Sequence, residues 1–232
     1  MKTGTNYVMV ELDEENDHII TKEGVKLYID NTFEPEKHAV VTGKIVSIPD
    51  RLTFRPNSTE LMPWETTIEV KEGDKVVMYY LGVVNALKKE IKKYFIKDGK
   101  YFVFIKYNNI FVVIRDKQII PVNGYILVEP VDDPGKKQQE ENVKSRSGIE
   151  IVKVTDQRNN TDVVYGKAVY IGNKNSRYHN PDITDENFSV SPGDVLVLKK
   201  VRDIPVEYEY HAKLDGGRKL YRIQRHDILA VL

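Results

Sequence analysis

The chain has no cysteine, which excludes disulfides, thiolate metal sites and cysteine nucleophiles together and is compatible with a reducing compartment. It has no excess of either charge: 35 lysines and arginines face 35 aspartates and glutamates. No overall basic field therefore draws it to phosphates or anionic lipid, and neither nucleic acid nor membrane is expected as a partner. It has no apolar run long enough to span a bilayer, and the polar stretch Met1 to Asn6 leads straight into a strand pattern rather than a signal peptide. A cytoplasmic protein is the expectation. Glycine-rich phosphate loops are missing too, since Gly216-Gly217 reads as a hairpin turn. His179, His211 and His226 do not have the spacing of a metal pair. These absences lead us to expect no cofactor, no metal and no catalytic centre.

What the chain does contain is stated twice. Asn6-Tyr7-Val8-Met9-Val10-Glu11 recurs as Gly124-Tyr125-Ile126-Leu127-Val128-Glu129, an offset of 125 − 7 = 118. Gly73-Asp74-Lys75-Val76-Val77 recurs as Gly193-Asp194-Val195-Leu196-Val197, and Asn109-Ile110-Phe111-Val112-Val113 recurs as Asp227-Ile228-Leu229-Ala230-Val231. Solenoid and propeller repeats run roughly 20–50 residues, so the longer period here predicts a tandem of two related domains. The expected division is 1–114, a linker over 115–123, and 124–232.

Short runs rich in valine, isoleucine and tyrosine, bounded by glycine, proline and asparagine, predict an all-β fold. In the second half they are Tyr125 to Val128, Gly148 to Val154, Val163 to Ile171, Asp194 to Leu198, Pro205 to Tyr210, Lys219 to Gln224 and Ile228 to Leu232, a number suited to a small barrel. Between Asn85 and Phe95 the spacing of Leu87, Ile91 and Tyr94 fits a short amphipathic helix or a strand bent by an insertion. Lys88, Lys89, Lys92 and Lys93 read as a solvated face. Asp132 to Ser147 is polar, with few apolar residues to offset its ordering entropy, and predicts a mobile loop. It runs into Gly148-Ile149-Glu150-Ile151-Val152, as the shorter Asp13 to Glu23 runs into Gly24-Val25-Lys26-Leu27-Tyr28.

In this order and spacing the chain resembles the GroES co-chaperonin family, twice. The second copy carries the resemblance through Tyr125-Ile126-Leu127-Val128, the loop ending in Ser147-Gly148-Ile149-Glu150-Ile151-Val152, Tyr165-Gly166-Lys167-Ala168-Val169, Ser191-Pro192-Gly193-Asp194-Val195 and the closing Asp227-Ile228-Leu229-Ala230-Val231. The first copy keeps Thr42-Gly43-Lys44-Ile45-Val46 and Glu72-Gly73-Asp74-Lys75-Val76, but ends in Ile110-Phe111-Val112-Val113. The resemblance implies two tandem GroES-like β-barrels, each with a mobile loop and a roof-type hairpin. Phe54, Leu61, Met62 and Trp64 would belong to that hairpin, or to ordinary satellite core.

The resemblance also implies a lid that caps a nucleotide-loaded GroEL-type chaperonin and assists folding. Each mobile loop would place a hydrophobic, any, hydrophobic tripeptide on the chaperonin: Ile149, Glu150 and Ile151, with Gly148 and Val152 flanking, and Val25, Lys26 and Leu27 after Gly24. The residues 149–152 also fit a plain barrel strand. Homo-oligomerisation would follow from edge-strand pairing, with Ile228, Leu229, Ala230, Val231 and Leu232 of one chain on Tyr7, Val8, Met9 and Val10 of the next, and Ile110 to Ile114 on Tyr125 to Val128 within a chain. Two other classes compete. A dehydrogenase reusing the barrel would need a Rossmann domain, and the chain has no G-x-G-x-x-G; a structural or adaptor protein, for example of a viral particle, would keep the barrel without the chaperonin contact.

Overall fold

A computed structural model of the chain describes residues 3–4, 6–13, 18–20, 23–28, 39–54, 66–132, 134, 163–173, 189–199, 214, 218 and 220–232. Those residues are mostly strand, as the short runs rich in valine, isoleucine and tyrosine predict. They form two compact units, Met1–Tyr125 with Gly172–Phe188 and Ile126–Ile171 with Ser189–Leu232.

Unit 1 holds β1 (Tyr7–Leu12), the small hairpin β2 (His18–Ile20) and β3 (Lys26–Tyr28), β4 (Thr42–Ser47), β5 (Lys75–Met78), helix α1 (Tyr80–Leu87), β6 (Tyr94–Lys97), β7 (Lys100–Lys106), β8 (Ile110–Arg115) and β9 (Gln118–Pro121). Seven of these strands make an antiparallel sheet in the order β6-β7-β1-β4-β5-β8-β9. Unit 2 is built on β10 (Tyr125–Val131), β11 (Val163–Ile171), β12 (Val195–Lys199), β13 (Tyr221–Gln224) and β14 (Ile228–Val231), in the order β13-β10-β11-β12-β14. Neither sheet closes into a barrel among the described residues: β6 and β9 end one, β13 and β14 the other. The runs 148–154 and 205–210, expected as strands, and most of the roof-hairpin candidates lie outside the described residues.

The sequence repeat is a repeat of sheet geometry. The series β7-β1-β4-β5-β8 and β13-β10-β11-β12-β14 match strand for strand. The first ladder is irregular between Met9 and Val10 in one unit and between Leu127 and Val128 in the other, the same place by the offset of the repeat. Each irregularity leaves one extra residue on the partner strand, Val46 and Val169, as a β-bulge does. A second bulge recurs where β5 meets β8 and β12 meets β14, and here the extra residues are Phe111 and Leu229.

Glycine and aspartate fix the shared turns. Gly73 and Gly193 take φ of 90° and 100°, a region open to glycine without Cβ strain. Asp74 and Asp194 then accept the N–H of Lys71 and Ser191 at 2.7 Å each. Gly43 and Gly166 face the first strand closely. A Cβ on Gly43 would stand 2.6 Å from Val10 Cγ1, and one on Gly166 3.0 Å from Val128 Cγ2.

The core of unit 1 gathers Val8, Val10, Ile45, Val76, Met78, Val83, Val103, Ile105, Tyr107, Ile110 and Val113. Helix α1 ends at Leu87, earlier than the spacing through Tyr94 implies: Val83 and Ala86 are its buried residues, Ile91 is exposed, and Tyr94 already belongs to β6. The 115–123 segment, read as a linker, contains β9, which returns from a turn with left-handed Asp116 and Lys117 to pair with β8. No helix among the described residues is long and apolar enough to cross a membrane.

Candidate functional site

Two places in this fold carry the residues singled out by the sequence: the connections that leave the first strand of each sheet, and the edge formed by β14.

Gly24, Val25, Lys26 and Leu27 lie in the connection from β1 to β4. The hairpin there pairs His18 with Tyr28, Ile19 with Leu27 and Ile20 with Lys26. Gly24 turns it with φ of 81°, a backbone setting that a Cβ makes costly, and Val25 beside it is 54% exposed. Gly148, Ile149, Glu150, Ile151 and Val152 lie outside the described residues, but they fall between β10 and β11. By strand order that is the same connection in the second sheet.

The edge expectation divides. Ile228 to Val231 do form an edge strand: β14 lies against β12 through Leu196↔Val231, Val197↔Ala230 and Leu198↔Ile228 and ends its sheet among the described residues. Tyr7 to Val10 do not. β1 is an interior strand, paired with β7 from Tyr7↔Lys106 to Glu11↔Phe102 and with β4 from Met9↔Ser47 to Leu12↔Gly43. From Met9 onward the strand is paired on both sides, so it is an interior strand there and not an edge. The pairing expected of Ile110 to Ile114 with Tyr125 to Val128 is also replaced. β8 lies between β5 and β9, and its outer partners are Pro121, Ile120, Ile119 and Gln118.

That replacement was missed in the sequence, where Gln118-Ile119-Ile120-Pro121 fell inside the segment read as a linker. β9 covers the outer edge of β8, and the carbonyl of bulged Phe111 accepts the N–H of Val122 at 2.8 Å. Asn123 secures the exit. With φ of 59°, which asparagine tolerates better than most residues, it donates from Nδ2 to the carbonyls of Tyr107 and Ile110 at 2.8 and 2.9 Å. Its own N–H donates to Glu69 Oε2 at 2.7 Å.

Electrostatics sharpen the contrast between the units. Buried Asp74 meets Arg115 through Nε at 2.9 Å and Nη2 at 2.6 Å. Burial alone would raise the Asp74 carboxyl, but the Arg115 hydrogen bonds and the Lys71 N–H outweigh it and hold the pKa below the usual aspartate range. Burial likewise pushes the Tyr107 hydroxyl far above its usual value, against the N–H of Glu69 that it accepts at 2.8 Å. The hydroxyl in turn donates to the Thr67 carbonyl at 3.0 Å. In unit 2 Arg218 binds Glu129, whose carboxyl is lowered by that guanidinium; by the repeat offset this pair corresponds to Lys100 and Glu11 of unit 1.

No protein-family model matches the chain, and no curated protein matches it in sequence. The functional reading therefore rests on the repeat, the two connections and the edge that β14 forms among the described residues.

Proposed function

We propose that the protein is a co-chaperonin, a homo-oligomeric lid of GroES-like domains that caps a nucleotide-loaded GroEL-type chaperonin and assists protein folding. The observation that carries this reading is placement. Both candidate tripeptides, Val25-Lys26-Leu27 and Ile149-Glu150-Ile151, fall in the same connection of a repeated sheet, between its first strand and the strand that pairs with it.

The energetics suit reversible capping. Ordering a loop of about six residues costs roughly 6–12 kcal/mol, while burying two aliphatic side chains returns about 3–6 kcal/mol. One loop binds weakly. Several loops on one assembly make each later contact intramolecular, so the whole binds tightly and still releases.

Assembly has an internal template. In unit 1 the residues just before the next first strand cover the edge of β8; the same residues before β1 include Thr3 and Gly4. Transferred by the repeat offset, the Gly4 N–H of one copy would donate to the Leu229 carbonyl of another, as Val122 does to Phe111, with Thr3 opposite Ala230 as Pro121 is opposite Val112. This assigns the partner of β14 to the segment before Tyr7, in place of Tyr7 to Val10. A head-to-tail contact of this kind propagates from copy to copy and closes if the rotation allows.

The test is native mass spectrometry of the protein alone and with a GroEL-type chaperonin plus ATP. Co-migration that needs nucleotide and is lost in an Ile149→Ser, Ile151→Ser variant supports the proposal. An oligomer indifferent to chaperonin would favour the structural or adaptor class instead.

A further inference from the structure

Unit 1 has an outer sheet surface that the capping reading leaves unused. β6, β7 and β1 are neighbours, and alternation sends Val103 and Ile105 of β7 and Val8 and Val10 of β1 into the core. Phe95, Phe102, Phe104 and Tyr7 therefore lie on the opposite face, each partly exposed, while Met9 of β1 on the same face is buried. The rings of Phe95 and Phe102 stack with centroids 5.0 Å apart and planes 7° from parallel, and Phe104 lies 6.1 Å from Phe95. Lys93 holds its Nζ 4.9 Å from the Tyr7 ring centroid and 2.7 Å from the Tyr7 hydroxyl.

Lysine dominates the surroundings. From Lys88 to Lys106 the chain has seven lysines against two acids, Glu90 and Asp98; alternation puts Lys97, Lys100 and Lys106 on the ring face, where Glu11 of β1 pairs with Lys100. The neutrality of the whole chain argues against long-range attraction but does not bear on so local a patch. Buried centres of protein interfaces are depleted in lysine, which disfavours an acidic protein as the occupant. Lysines beside aromatic rings instead suit a single strand, with phosphates on the ammonium groups and bases on the rings. A parallel ring pair extends readily to a third planar ring, which a base supplies and a carboxylate does not.

We propose that the outer face of β6, β7 and β1 binds a short single-stranded nucleic acid, with phosphates on the lysines and one or two bases stacked on the Phe95 and Phe104 side. Contacts of this kind read phosphate and ring faces, not the sugar, so DNA and RNA bind alike.

Fluorescence anisotropy of labelled oligothymidylate and oligouridylate with the intact protein tests this, with heparin and polyglutamate as anions that lack bases. Both oligonucleotides are expected to bind within a few-fold of each other. Affinity should fall with a log–log salt slope of about −2 to −3, the value for three or four phosphate contacts on a single strand. Phe95→Ala should weaken oligonucleotide binding about tenfold while heparin binding is unchanged, and Phe95→Trp should restore it. Lys92→Glu with Lys97→Glu should abolish both. Absent oligonucleotide binding, polyglutamate binding as tightly as oligothymidylate, or no effect of Phe95→Ala in a variant with unchanged thermal unfolding would each overturn the proposal. Chaperonin capping by Phe95→Ala is expected to stay at the wild-type level, so failure here is separable from failure of the capping reading.

Discussion

Phe111 and Leu229 hold the same bulged position in the two sheets, yet Phe111 is 1% exposed and Leu229 52%. The difference is a covering strand. β9 lies beside Phe111, and Tyr125 packs against it edge-on with ring centroids 5.2 Å apart, while β14 has no outer strand among the described residues. An uncharged edge with exposed Leu229, Val231 and Leu232 is the kind that other chains add to.

A charge on that edge should therefore block assembly without harming the fold. Leu229→Lys is expected to shift native mass toward smaller species while changing stability by less than about 0.5 kcal/mol, as exposed substitutions do. Phe111→Ala, at the equivalent site, should instead cost about 3–5 kcal/mol in chemical denaturation. Unchanged oligomers in Leu229→Lys would place the interface elsewhere.

The two loops should separate by their reach. Ile149→Ser with Ile151→Ser is expected to remove about 3–6 kcal/mol of contact per loop and to abolish nucleotide-dependent chaperonin pull-down, because the longer polar approach belongs to the second copy. Val25→Ser should weaken capping less and leave the melting temperature unmoved, since Val25 is already exposed. Equal capping by wild type and the double isoleucine variant would remove these residues from the contact.

Asp74 makes unit 1 acid-sensitive in a defined direction. Its folded pKa lies below the unfolded value near 4, so its stabilisation is present above that value and is lost as pH falls through the folded pKa. Arg115→Ala should destabilise unit 1 by about 2–3 kcal/mol at neutral pH by leaving Asp74 buried without its guanidinium, and should flatten the loss of stability below about pH 4. Denaturant titrations at stepped pH would show both effects, and parallel curves for variant and wild type would contradict them.

Gly43→Ala and Gly166→Ala probe the repeat itself. Each new methyl would press on the first strand at Val10 or Val128, and overpacking of this kind costs about 1–3 kcal/mol. Gly43, where a Cβ would stand only 2.5 Å from the Glu11 carbonyl oxygen, is expected to suffer more than Gly166. Equal melting temperatures for both variants and wild type would mean that the strands yield.

The all-β class was readable from short runs rich in valine, isoleucine and tyrosine such as Tyr7 to Leu12, and the repeat was readable from the spacing of Gly73-Asp74 and Gly193-Asp194. Strand neighbours were not. Whether a strand is interior or edge depends on long-range pairing, and nothing in Tyr7 to Val10 reveals that Lys100–Lys106 will occupy its second side. β9 escaped notice because four residues beside a proline carry little periodic signal, yet Pro121 is tolerable in an outermost strand where a ladder N–H is dispensable. The helix was misplaced because Val83 and Ala86, its buried residues, precede the lysine-spaced pattern that suggested it. The candidate tripeptides stood out in the sequence only as apolar patches after polar approaches.

The matched bulges of β4 and β11, opposite β1 and β10, have a consequence for the moment of synthesis. A chain that writes its pairing rules twice competes with itself, because Val128 fits against a Gly43-type notch as Val10 does, and tandem repeats misassemble by such exchanges. The β6–β7 turn supplies an arbiter. Its pairs, from Lys97↔Lys100 out to Tyr94↔Val103, are local enough to close in about 1–10 μs. The finished hairpin then presents Phe102 and Phe104 opposite Glu11 and Met9, a receiving edge that β1 can fill before the ribosome has made the second repeat.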